Sequence, residues 1–184
     1  MIIVIIIVVI LLIGIFFYNS LIAKKNQVTN AFSAIDVMLK KRFDLIPNLV
    51  EVVKQYTTYE QGTLTKIVEL RAKAISGNVN NAEKAELDAQ LSSSIKGLMV
   101  NVENYPDLKA NTNFINLQTT WTESEEQIAA ARRTYNSSVT DYNNSIMMFP
   151  GSLFAGILNF QPIAVLETAA EERKNISAKE LFNN

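Results

Sequence analysis

Residues Ile2 to Phe17 form an uninterrupted apolar run in which Gly14 is the one small residue. Tyr18, Asn19 and Ser20 follow, then Leu21, Ile22 and Ala23, and the first charged side chain is Lys24. A helix over residues 2 to 23 would be about 33 Å long, enough to cross a hydrocarbon core of about 30 Å. Ile and Val dominate, yet a lone segment in lipid must bond its backbone internally, which dictates a helix. The competing readings are a cleaved signal peptide and a buried core strand. A signal peptide opens with a basic segment and ends at a small-x-small site. Here no Lys or Arg precedes the run, and Leu21 and Ala23 make a poor cleavage site. A pilin-type N-terminus would place an acidic residue early in the apolar helix, and none is present. Residues 1–23 therefore read as a retained transmembrane anchor, represented by Ile2, Gly14, Phe17 and Leu21, with the lipid bilayer as its first partner.

The side of the membrane follows from charge. Lys24, Lys25, Lys40, Lys41 and Arg42 all lie after the apolar run and no charged side chain precedes it. The positive-inside rule then leaves a short N-terminus outside and the body in the cytoplasm.

The chain beyond the anchor reads as helical. Only 6 Gly and 4 Pro interrupt 184 residues, which disfavours a turn-rich β fold. No strong breaker lies between Gly14 and Phe43, so the membrane helix is expected to run on into the first soluble helix. Leu21, Val28 and Ile35, and Phe32, Leu39 and Ile46, form two columns at seven-residue spacing. Asp44 reads as an N-cap, with Pro47 in the first turn of a second helix. That helix is expected to weaken over TTYEQGT, residues 57 to 63, and to stop at Gly77. A third helix is expected from about Ala82 to Asn104, carrying Leu87, Leu91, Ile95, Leu98 and Val102 at spacings of three and four.

The fourth helix is the most regular. Phe114, Trp121, Ile128, Tyr135, Tyr142 and Phe149 fall at every seventh position. Beside them Leu117, Ser124, Ala131, Ser138 and Ser145 form a second column, so large and small side chains can interlock with a neighbour. A sustained heptad predicts left-handed supercoiling. Pro150 and Gly151 end the helix. The uncharged stretch SLFAGILNF, with Leu153, Phe154, Ile157, Leu158 and Phe160, is a candidate interaction segment. It reads as a cap on the bundle rather than an interfacial helix, because interfacial helices carry Lys or Arg on a polar face. The expected fold class is all-α: an N-terminal transmembrane helix, an antiparallel bundle of about four long helices over 24–162, and a polar tail over 163–184.

With these segments laid out, the sequence resembles the LemA family of bacterial membrane proteins. The resemblance rests on NAFSAIDVMLKKRFDLIPNLVEVVKQY, VENYPDLKANTNFINLQ and AAARRTYNSSVTDYNNSIMMFPGSLFAG, and it extends from the anchor to about Pro162. It implies a bacterial cell-membrane location, a short extracellular N-terminus, one membrane helix and an antiparallel helical body. It implies no activity. Relatives often carry His where this chain has Phe43 and Tyr59, so any His-based metal or acid–base chemistry would be closed to this member.

Little chemistry is on offer. The chain has neither Cys nor His, which removes thiolates, imidazole bases and the commonest metal ligands. The net charge of -1 gives no reason to expect nucleic acid as a partner. Arg42, Asp44, Asn48 and Glu51 cluster at the first helix junction, and capping plus an ion pair explains them more simply than a binding site. Arg132, Arg133, Asn136 and Asn143 flank the aromatic column, where the Asn residues are expected to set register through interhelical hydrogen bonds. Glu123, Glu125 and Glu126 read as a solvated acidic face, since carboxylate-bridged di-iron bundles need Glu-x-x-His. No catalytic, cofactor or metal site is expected. Two functions fit: a membrane-anchored scaffold that forms a homo-oligomer, and an adaptor or signalling module that binds another membrane protein or a peptide.

Overall fold

A computed structural model of the chain describes residues 1–57, 60–77 and 79–166. The polar tail from Glu167 onward and Tyr59 lie outside the described residues. Among the described residues every regular element is helical. The first helix, α1, runs unbroken over Ile2–Phe43, 42 residues, about 63 Å at 1.5 Å per residue. The apolar run and the first soluble helix are thus one rod, as the absence of a breaker predicted. It is the one helix among the described residues that is long and apolar enough to cross a membrane.

The second expected helix is two helices, α2 (Ile46–Lys54) and α3 (Gln61–Ile75), so the break comes a few residues earlier than the polar stretch 57 to 63 and overlaps only its start. Then come α4 (Asn81–Asn101), a 3-10 turn at Val102–Asn104, and α5 (Pro106–Lys109). The α4 start is a capping box: the Asn80 side chain accepts from the Glu83 N–H while the Glu83 carboxylate accepts from the Asn80 N–H. The heptad helix, α6, covers Thr112–Met147 and is capped by Asn111, whose side chain accepts from the Phe114 N–H. A short helix α7, Gly151–Ile157, comes last.

Contacts fix the arrangement. Phe17 meets Phe154, Phe32 meets Tyr135, and Arg42 meets Glu125. As the number rises along α1 its partner's number falls, so α1 and α6 are antiparallel. Lys84 pairs with Asp36 and Asp88 with Arg42, so α4 runs parallel to α1. The α3–α4 hairpin therefore covers only the half of the α1–α6 pair distant from the apolar end. Nearer that end the body is two helices thick, and residues 161–166 cross it as an extended strap.

The core follows the expected columns. Leu21, Val28, Ile35 and Leu39 from α1 and Phe114, Trp121, Ile128, Tyr135 and Tyr142 from α6 are all buried in one core. Leu64, Ile67, Leu70, Leu91, Ile95 and Leu98 join from the hairpin. Burying each such aliphatic side chain contributes about 1.5–3 kcal/mol before conformational entropy is counted.

Phe149 departs from its column. It is 81% exposed, because α6 ends at Met147 and the heptad phase has no meaning beyond the last helical turn. Gly151 explains the stop: a Cβ there would lie 2.0 Å from the Ser145 carbonyl oxygen, so only glycine lets α7 fold back onto the end of α6.

Candidate functional site

Two features stand out from the packed core. One is a buried ion-pair network in the body, and the other is the contact between α7 and the apolar end of α1.

The network is built on Arg42, in the last turn of α1 and 2% exposed. Its Nη1 donates to Asp88 Oδ1 at 2.9 Å, and its Nη2 donates to Glu125 Oε1. Arg132 Nη2 donates to the other Asp88 oxygen at 3.1 Å. The Arg42 guanidinium lies 4.0 Å from the centroid of the Trp121 ring, which adds a cation–π attraction in a desolvated setting. Two cations and two anions balance, and together they tie α1, α4 and α6 at one level. Burial raises the Asp88 carboxyl above its ordinary range, against the pull of the Arg42 and Arg132 guanidiniums. Among the described residues the Nε atoms of Arg42 and Arg132 are buried without a hydrogen-bond partner.

This arrangement corrects the junction cluster expected at Arg42, Asp44, Asn48 and Glu51. Arg42 turns into the bundle, whereas Asn48 and Glu51 face solvent. Asp44 caps nothing. Both Asp44 and Leu45 keep right-handed helical angles, so no extended residue aims the carboxylate at the free N–H groups of α2. Asp44 instead lies 3.7 Å from Arg71 Nη2, and Arg71 Nε donates to the Phe43 carbonyl. Glu125, expected on a solvated face, reaches in to Arg42, while Glu123 and Glu126 are exposed. Sequence reasoning missed Asp88, although a signal exists: it stands seven residues before Ile95 and three before Leu91, inside the apolar column of α4.

Asn136 and Asn143 hold the strap. The Asn143 amide donates to the Ile163 carbonyl at 2.8 Å and accepts from the Ile163 N–H at 2.9 Å. Asn136 repeats the pair with Leu166 at 2.9 and 2.8 Å. Tyr142 donates its hydroxyl to the Gln161 carbonyl at 3.0 Å, and Tyr135 does so to Ala164 at 3.4 Å. Burial raises both phenols, which keeps them in the donor form this contact needs. Seven residues of helix advance about 10.5 Å and three of extended chain about 10 Å, so the two ladders match. The Asn residues thus set register, but against an extended backbone rather than a facing helix.

At the apolar end, α7 lies directly on α1. Phe154 stacks on Phe17 with ring centroids 5.0 Å apart, and its edge sits 3.7 Å from where a Cβ on Gly14 would be. Gly151 and Ala155 are buried against the helix pair. Asn159, at φ 55°, takes the left-handed conformation that Asn tolerates and ends α7. Lys25 Nζ then lies 5.9 Å from the centroid of the Phe160 ring.

A cleft between α2 and α3 is lined by Ile46, Pro47, Val50, Lys54, Val68 and Arg71, with Glu51 its one carboxylate. Among the described residues no cluster of three or more acidic side chains could hold a metal ion.

The sequence profile described as the LemA family matches residues 31–179. Protein LemA of Metamycoplasma hominis is 30% identical over 176 residues, covering 92% of this chain and 80% of that protein. Magnetosome protein MamQ 2 of Paramagnetospirillum magneticum is 23% identical over 169 residues, 78% of this chain. Magnetosome protein MamQ of Magnetospirillum gryphiswaldense is 22% identical over 171 residues, 79% of this chain. The chain spans 62% and 63% of the lengths of these two longer relatives. With its apolar N-terminal rod, its antiparallel α1–α6 pair and a family match over most of its length, the chain belongs to the LemA family.

Proposed function

We propose that this protein is a membrane-anchored helical scaffold that self-associates, its body held rigidly at the cytoplasmic face. The observation that carries the reading is α1. Its first turns expose Ile2 through Ile13 to the surroundings, and the same unbroken helix supplies the core of the body through Leu21, Val28, Ile35 and Leu39. Water disfavours so much uncovered apolar surface, and a bilayer removes that cost. With no hinge between anchor and body, the orientation of the anchor dictates that of the body. Lys24, Lys25, Lys40, Lys41 and Arg42 favour a cytoplasmic body.

Self-association is supported by the thin proximal half of the body. There two helices and a strap do the work of a bundle. Anchoring confines copies to one plane and raises their effective concentration. The test is the mass of the full chain in nanodiscs of increasing diameter. A discrete oligomer that persists as discs grow supports the scaffold, and monomers at every size reject it. The second reading, an adaptor for another membrane protein or peptide, is favoured by the apolar α2–α3 cleft. It requires one dominant heterologous crosslink from a site such as Val68, and exclusive self-crosslinks reject it.

A further inference from the structure

We infer that α7 and the turn before it form a wedge embedded among the lipid acyl chains of the leaflet on the body's side, next to the anchor. This rests on the reading of α1 as a membrane helix. The chain carries no charged side chain between Asp141 and Glu167. Within that stretch Phe149, Leu153 and Ile157 recur at every fourth position. All three are exposed, 81%, 59% and 82%, Phe149 in the turn before α7 and Leu153 and Ile157 on α7 itself, and so are Met147 and Met148. The opposite side, Gly151, Phe154 and Ala155, packs on the helix pair. With one side on protein and an uncharged outer side on which only the half-buried Ser152 is polar, the helix offers little to water.

Depth decides between a cap on a soluble bundle and a membrane element. Phe154 touches Phe17 and Gly14, which lie about 10 and about 15 Å along α1 from Lys24. One leaflet's hydrocarbon is about 15 Å thick. If α1 spans the bilayer, α7 packed at that level lies inside the leaflet. Lys25 beside Phe160 marks the boundary, a basic side chain and an aromatic ring at the level where such groups favour the interface. Most of the turn's backbone N–H groups are satisfied internally, those of Phe149, Gly151 and Asn159 excepted. Pro150 lacks an N–H, and Met148, Ser152, Leu153, Leu158 and Phe160 donate theirs to Asn144, Met148, Pro150, Phe154 and Ala155 carbonyls. The expectation of a bundle cap rests on the missing basic polar face. That absence marks instead a helix with no charged face, whose interfacial charges are supplied by α1.

The chain lacks Cys, so single substitutions give unique labelling sites. Spin labels at Phe149→Cys and Ile157→Cys would be compared with Leu11→Cys in the anchor and Lys96→Cys on the exposed body. The full chain is placed in phosphatidylcholine/phosphatidylglycerol vesicles, and folding is checked by Trp121 fluorescence. Collision with oxygen and with a water-soluble nickel chelate reports the surroundings. The wedge requires labels at 149 and 157 that meet oxygen and escape nickel, as the label at 11 does. Nickel access at 149 and 157 equal to that at 96, with 11 still shielded, overturns the wedge and leaves the anchor standing. Nickel access at 11 as well overturns both. Labels at 149 and 157 shielded from oxygen and nickel alike, with spin–spin broadening, show a second copy on this face and overturn the lipid contact.

Discussion

Replacing Arg42 by Met should destabilise the body by about 3 kcal/mol. Met keeps the helix propensity and much of the apolar stem but deletes the guanidinium. Asp88, with its side chain 4% exposed, then keeps only Arg132 at 3.1 Å as an ionic partner. Breaking a buried pair from one side costs about 3–5 kcal/mol, and the surviving Arg132 contact places the value at the lower end. For a body of this size about 3 kcal/mol corresponds to a fall of roughly 6–12 °C in the melting midpoint. Trp121 is the chain's one Trp and sits under the lost guanidinium, so its emission in mild detergent reports the transition directly. Removing Asp88 as well, with Asp88→Leu, should recover part of the loss, because the most deeply buried unbalanced charge is then gone and only the partly exposed Arg132 and Glu125 are left unpaired.

Protonation gives the same argument a sign. The Asp88 carboxyl titrates above 3.8 in the folded chain. Between its unfolded and folded values the folded state binds more protons, so this group's contribution to stability falls as pH rises through that window. Losing Arg42 removes a force that lowers the folded value. The penalty of Arg42→Met should therefore shrink as the pH is lowered from neutrality toward 4. A penalty under about 1 kcal/mol, a double variant no better than the single one, or a penalty that grows on acidification would refute the account of Arg42 as the tie between α1, α4 and α6.

Three further outcomes are expected. Asn136→Ala with Asn143→Ala removes four hydrogen bonds to the strap, each worth about 1 kcal/mol net. Amide exchange at Ile163 and Leu166 should speed up by at least an order of magnitude while α4 amides stay protected. Gly151→Ala forces a Cβ against the Ser145 carbonyl and should cost about 1–3 kcal/mol, with faster proteolysis between Met147 and Leu158; an unchanged digestion pattern would contradict the packing. Phe149→Ser should change the body's stability by less than about 0.5 kcal/mol in detergent, whereas Ile128→Ala in the same column should cost about 2–5 kcal/mol, as read from thermal melts.

The sequence alone determined the parts that depend on neighbours along the chain. An apolar run from Ile2 to Phe17 without a charge demands a lipid-compatible helix, and a seven-residue column from Phe114 to Tyr142 demands a long helix with one buried face. The polar stretch that begins at Thr57 lies close to the break between α2 and α3, although Gly62 is inside α3, and Pro150 with Gly151 marks the end of α6. Each is a local preference or a period, and both survive without knowledge of the rest of the molecule. Tertiary structure decided everything that needs a distant partner. Arg42 finds Asp88 and Glu125, 46 and 83 positions away, only because α4 and α6 meet α1 at that level. The Asn136 and Asn143 pattern announced a ladder, but the strap that fills it has no periodicity of its own. The contact of Phe154 with Phe17 set SLFAGILNF beside the apolar end of α1. A helical period tells which face is buried; what lies against that face depends on how whole helices dock.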